Sequence, residues 1–249
     1  MVYKKIVCLA NSRKLGGRCV AGKDIDTRQW IRPVGKTAKG ELALSDINYE
    51  NKSTPQLLDI IKISIEKDQP VFYQPENVLI GEGKWEFKGK YKEDLLERLC
   101  DNPKLLWQNE PYKDRISLED IKKTANQSSL LLIKVKTLII RRVNKITEFG
   151  TTKNKVRGVF TSNNIEYDLG ITDIKIEDDY RNKNEGDYPI SSDRIFLCIS
   201  LGEPFGGYCY KLIASVICLN EQKKNKEDKQ SFDILRFIKN TLGFNSSGK

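Results

Sequence analysis

Histidine is absent from the 249 residues. That excludes Ser-His-Asp and Cys-His catalysis, histidine-ligated zinc and imidazole acid–base chemistry. Carboxylates, lysine, tyrosine and cysteine are the groups left for any catalysis. No CxxC pair occurs among the six cysteines, so nothing supports a zinc ribbon or a thioredoxin-type site. Long apolar runs are missing too. "LLLI" (130–133) and "LIASVICL" (212–219) fall well short of the roughly 20 residues of a membrane helix. The start, "MVYKKIVCLANS", lacks the apolar core and cleavage site of a secretory signal. The expectation is a cytoplasmic protein with no membrane partner. Its cysteines fit that address. Cys8, Cys19, Cys198, Cys209 and Cys218 sit in apolar or aromatic runs, where cysteine acts as a small buried hydrophobe in a reducing compartment.

Positive charge is what the chain has in excess, +9 overall, and it is clustered. Residues 1–40 hold ten Lys/Arg against two Asp, and residues 134–158 hold eight against Glu148. Residues 164–187 run the other way, with eight acids against three bases. Segments of one sign raise the local concentration of an oppositely charged polymer and speed encounter. Arginine predominates in the motif part of the first segment, and its planar fork suits phosphate better than a lysine point charge does.

Apolar alternation predicts many short strands. "YKKIVCLA" (3–10), "GRCVAGKDI" (17–25) and "RQWIRPV" (28–34) read as a meander joined by tight turns. "LLDIIKISIEK" (57–67), "NVLIGEGKWEF" (77–87), "SLLLIKVKTLIIRRV" (129–143) and a hairpin over 155–171 follow. "DRIFLCISLGEPF" (193–205) and "GYCYKLIASVICL" (208–220) make another pair. Short helices are expected at 92–100 and, capped by Ser117, at 117–123. After a charged linker, Phe232, Leu235, Ile238 and Leu242 share one face of a C-terminal amphipathic helix. The expected fold is mainly β, two OB-like small β-barrels with short connecting helices. The expected boundaries are 1–110, a connector 111–128, 129–220, and a tail 221–249. One spacing occurs twice: Cys8-x7-Gly16-Gly17-Arg18-Cys19 and Cys198-x7-Gly206-Gly207-Tyr208-Cys209. Duplication and chance both account for it.

The residues "CLANSRKLGGRCVAGK" followed by "WIRPVG" resemble the N-terminal signature of the dual OB-containing domain family. The matching positions are Asn11, Ser12, Arg13, Lys14, Gly17, Arg18, Gly22, Lys23, Trp30, Arg32 and Pro33. The resemblance implies two successive OB-like barrels, nucleic-acid binding, and a setting in bacterial defence. It brings no catalytic residue and no cofactor.

OB barrels bind single strands through a basic groove and aromatic platforms. Arg28, Trp30 and Arg32 at i−2, i and i+2 of a strand project to one face. That predicts a stacking tryptophan between two guanidinium forks. Asn11, Ser12, Arg13 and Lys14 read as a phosphate-binding loop, with Arg18 and Lys23 beside it. Lys153, Lys155 and Arg157 alternate and form a second candidate face. The expected activity is therefore non-enzymatic binding of single-stranded or distorted DNA or RNA through the first barrel. Two other readings stand beside it. One is a protein-interaction scaffold using the acidic 164–187 segment or the terminal helix. The other is a Mg-dependent nuclease built on Asp59 with Glu82-Gly83-Lys84, or on Glu177-Asp178-Asp179.

Overall fold

Side chains that alternate along long strands face two different cores, and this organises the whole chain. The computed structural model describes residues 2–220, apart from 109, 125–126 and 147–151 and the side chains of 145–146 and 152–153. The charged linker and terminal helix expected over 221–249 lie outside the described residues.

The first sheet holds β1 (Val2–Lys14), β2 (Gly17–Asp24), β3 (Trp30–Val34), β4 (Asp59–Asp68), β5 (Asn77–Ile80) and β6 (Glu86–Lys90), with the short helix α1 (Leu44–Ile47) between β3 and β4. The order is β1-β2-β3-β5-β4-β6, and β1 also pairs with β4, which closes a five-strand barrel. Closure depends on the length of β1. Val2–Val7 pair with β4, and Ile6–Lys14 pair with β2. β3 and β5 run parallel.

A 3₁₀ helix (Glu93–Leu99) stands where a short helix was expected. The second sheet comprises β7 (Arg115–Ser117), β8 (Leu130–Val135), β9 (Leu138–Ile146), β10 (Thr152–Ser162), β11 (Ile165–Ile171), β12 (Gly186–Pro189), β13 (Arg194–Phe205) and β14 (Tyr208–Leu219). Two helices accompany it, α2 (Leu118–Lys123) and α3 (Ile174–Tyr180). Ser117 caps α2 as expected, accepting from the Asp120 N–H. The run 129–143, read as one strand, divides at Lys136-Thr137. The halves share the work that β1 does alone: β8 pairs with β13, and β9 pairs with β10. β11 and β14 are parallel, as β3 and β5 are. The second sheet thus repeats the topology of the first, with α3 in the place of α1. The two sheets form one compact unit, Met1–Leu219.

Three cores follow from the period-2 alternation. Ile6 and Cys8 of β1 point into the first barrel with Ile61, Ile63 and Trp85. Leu131, Ile133, Leu197 and Ile199 point into the second. The opposite faces of the same strands meet each other: Val7 and Leu9 pack with Leu130, Leu132, Phe196 and Cys198. Strands buried on both faces read as near-continuous apolar runs, which is how these appear in the sequence.

A buried ion pair ties the two sheets together. Arg32 is 2% exposed. Its Nε and Nη2 each lie 3.1 Å from Glu76 Oε1. Nη2 also donates to Ser129 Oγ (2.8 Å), just before β8, and to Ser200 Oγ (3.2 Å) of β13. Removing one member leaves the other charge buried and unpaired, a loss of about 3–5 kcal/mol. In urea unfolding, Arg32→Met is expected to lose about that much, and Arg32→Met with Glu76→Met to recover most of it. Equal losses in the single and double variants would refute the pairing account.

Candidate nucleic-acid interface

OB barrels take ligands on the face of their second and third strands and on the loops that flank them. In the first barrel these strands are β2 and β3, and they are largely covered. Trp30 is half-buried, and its Nε1–H donates to Asp101 Oδ2 (3.1 Å). Lys23, 5% exposed, has its Nζ 2.6 Å from Asp101 Oδ1 and 5.1 Å from the Trp30 ring centroid. Asp101 also accepts from the N–H of Leu132 in the second sheet (2.8 Å). Trp30, Lys23 and Arg32 therefore join the barrels in this structure and do not form an open stacking surface. Arg28 is separated from them. β3 begins at Trp30, and Arg28 sits in the preceding turn at φ +59°, exposed. Because of that turn, Arg28 does not share the strand face of Trp30 and Arg32.

The remaining motif residues divide. Ser12 is buried and bridges to Asp173. Asn11 donates from Nδ2 to the Pro55 carbonyl (2.8 Å). Arg18 is half-buried, its backbone paired in both directions with Leu42. Lys14 Nζ contacts Glu203 Oε1 (2.9 Å), and Arg13 reaches Glu177 and Asp178 on α3. Arg13 and Lys14 thus stand at the rim of the second barrel.

On the second barrel the equivalent face is open. β10, β11 and β14 line a groove of about 700 Å³. Lys155 and Arg157 of β10 line it, together with Asn154 and Val156 beside and between them; the Lys153 side chain lies outside the described residues. Arg157 Nε is held by Asp168 Oδ1 (2.6 Å). Arg115 and Arg181 add two more guanidiniums, and Asp114 and Glu177 are the acids on the wall. Arg115 is clasped by three tyrosines. Its Cζ is 3.9 Å from the Tyr112 ring centroid, 5.3 Å from Tyr208 and 5.4 Å from Tyr210, and Nη1 donates to the Tyr210 hydroxyl (3.0 Å). Phe205, at the end of β13 just before the Gly206-Gly207 turn, is 75% exposed.

Sequence reading missed Arg115, Arg181 and Phe205. Only Phe205 carried a local signal, an aromatic placed directly before a two-glycine turn. The three tyrosines around Arg115 come from two segments nearly a hundred residues apart, which no local pattern joins.

A model of the dual OB-containing domain family matches residues 4–216. The chain belongs to this family. It is similar at 9% identity to a crystal structure of the tetrameric p202 HIN2, covering 88% of this chain and 96% of that one with a TM-score of 0.30. It is similar to the same degree to a murine DNA-binding protein solved with ds DNA, covering 88% and 100% with a TM-score of 0.32. Neither score is high enough to bear on function. No curated protein matches.

The residues that suggested a nuclease are differently engaged. Asp59, 2% exposed, accepts from the Tyr49 hydroxyl (2.9 Å) and the Gln56 N–H (2.8 Å), with Lys90 Nζ at 2.6 Å. Glu82 and Lys84 line a cavity of about 900 Å³ with it. Among the described residues, no three Cys, Asp or Glu side chains gather to hold a metal. Asp179 pairs with Lys175 (2.7 Å). Burial pushes the Cys8 thiol up to about 12 and the Cys209 thiol to about 11, which keeps these two neutral. No described helix is long and apolar enough to cross a membrane.

Lys211 lies on β14 beneath the groove, 1% exposed, with Nζ donating to the Gln108 carbonyl (2.8 Å). Burial pushes its ammonium down to about 8, against the opposing pull of Asp114. Between that value and the ordinary 10.5, the unfolded chain holds a proton that the folded chain has shed. Stability from this group therefore rises with pH across that window and is lowest below it. In urea unfolding, wild type is expected to gain about 2 kcal/mol on Lys211→Met between about pH 7 and about pH 10. A pH-independent difference would show that Lys211 is not desolvated.

Proposed function

We propose that this protein binds single-stranded or distorted nucleic acid across the β10–β11–β14 face of its second barrel, as a binding module without catalysis of its own. The observation that carries the reading is one groove with Lys155, Arg157, Arg115 and Arg181 around it and an exposed Phe205 at its edge. It occupies the face that OB barrels use for oligonucleotides. Guanidiniums and lysine take phosphate, and Phe205 offers a ring on which a base stacks regardless of its identity. Rings and a groove suit unpaired bases, whose faces are accessible; in a duplex they are stacked on each other. The six free cysteines fit a reducing cytoplasm. The family resemblance supports a place for this binding in bacterial defence.

Fluorescence anisotropy with labelled single-stranded DNA, single-stranded RNA and duplex at two salt concentrations tests the reading. Binding is expected to weaken with salt and to favour the single strands. Phe205→Ala is expected to cost about 1–3 kcal/mol of single-strand affinity. Lys155→Ala is expected to reduce the slope of log affinity against log salt by about 1. No salt-sensitive binding to any of the three, or wild-type affinity in both variants, would overturn the proposal and favour a protein-interaction scaffold.

A further inference from the structure

Two guanidiniums from different barrels converge on one carboxylate at the rim of the groove. Arg13 Nη2 lies 3.1 Å from Asp178 Oδ1, and Arg181 Nη2 lies 2.9 Å from the same oxygen. Arg13 Nε adds a contact to Glu177 Oε2 at 3.0 Å. Arg181 and Glu177 line the groove. Arg13 lines a neighbouring cavity of about 250 Å³ that shares Thr172 and Leu212 with it.

The backbone under this cluster is fastened. The Arg13 N–H donates to the Thr172 carbonyl (3.0 Å), and Ser12 bridges to Asp173, whose side chain caps α3. The side chains above are less constrained, with 40% of Arg13, 48% of Arg181 and 53% of Asp178 exposed. Ion pairs so exposed contribute little and are screened by salt, so a stronger anion can displace one member. One oxygen receiving an N–H from each of two guanidiniums is an arrangement that a phosphate oxygen also takes, and a phosphate, with further oxygens, suits the guanidinium fork.

We propose that Arg13 and Arg181 form a phosphate subsite for the nucleic-acid backbone, and that Asp178, with Glu177, occupies it in the free protein. Binding exchanges the carboxylate for a phosphodiester. The proposal rests on the nucleic-acid reading above and extends that site onto the first barrel. It also gives the Asp178 side chain a function. It holds the two arginines in place before the ligand arrives and weakens binding of any polyanion that cannot displace it.

The test uses the full chain and a labelled oligothymidylate in anisotropy titrations at low salt. Asp178→Asn is compared with Glu119→Gln, which makes the same change in net charge on α2, where Glu119 pairs only with Lys123 among the described residues. Asp178→Asn is expected to bind about fivefold tighter than wild type, and Glu119→Gln to change less than about twofold. The gain is expected to vanish in an Arg13→Ala background. Arg181→Ala supplies the same background from the other barrel, should Arg13→Ala prove unfolded by its thermal melt. Equal effects of Asp178→Asn and Glu119→Gln, or a full gain retained in both arginine backgrounds, would overturn the subsite alone. No binding by wild type or by Asp178→Asn would overturn the nucleic-acid reading, and the subsite with it.

Discussion

The guanidinium of Arg32 is buried between two barrels, and the arrangement of the rest follows from satisfying it. A buried arginine is tolerable only if a carboxylate neutralises it and other acceptors take its remaining protons. Glu76 does the first, and Ser129 and Ser200 do the second. Glu76 is itself held by the second sheet, because Oε2 accepts from the Ser129 N–H (3.2 Å). Four polar groups from two sheets thus complete one another. A shift of either barrel would leave several of them unpaired at once. Asp101 does similar work nearby, drawing together Lys23, Trp30 and the Leu132 N–H. Apolar packing between the barrels supplies attraction but little direction, and these polar contacts select one docking geometry.

That docking decides which barrel has a free face. Both barrels have the same topology, so each has a second-and-third-strand face of the kind that takes ligands in OB folds. The first barrel uses part of its own to hold its neighbour. The second keeps its face open, bordered by α3, the β13–β14 hairpin and the reach of Arg13 from the first barrel. In this chain the N-terminal motif is thus largely engaged in joining the barrels. Residues of the types that bind phosphate elsewhere are here fixed on carboxylates of the same chain.

Much of the fold was legible because strand burial leaves a period-2 or continuous apolar pattern. β4 shows it in Ile61, Ile63 and Ile65. The β10–β11 turn was legible for another reason, the Asn163-Asn164 pair, both at positive φ. The break between β8 and β9 was not legible, since apolar residues stand directly on either side of Lys136-Thr137 and two polar residues also fit the outer face of a continuous strand. Nor was α3 legible, whose acids read as a solvated run. The site was harder for a different reason. Whether an arginine is free depends on a partner that sequence distance hides. Glu76 lies 44 residues from Arg32, Ser129 lies 97 and Ser200 lies 168. Charge clustering marks where basic residues concentrate, but it could not distinguish guanidiniums turned outward from those locked inside.

The doubled cysteine–glycine spacing shows the same limit and its resolution. Each copy forms a hairpin, with turns at Leu15-Gly16 and Gly206-Gly207 whose residues all have positive φ. The hairpins are not equivalent. One joins the first and second strands of its barrel, and the other joins the fourth and fifth. Equal spacing therefore reflects a common solution for a tight two-residue turn between long strands, and the likeness of the two halves lies instead in their strand order. The two hairpins nevertheless come together. Lys14 from one reaches Glu203 of the other at 2.9 Å, beside the groove that Phe205 borders. Loops of two different positions, brought from two barrels by the buried Arg32 contact, build one rim. A ligand on the second barrel would therefore meet residues of the first even though most of the first barrel's binding face is covered.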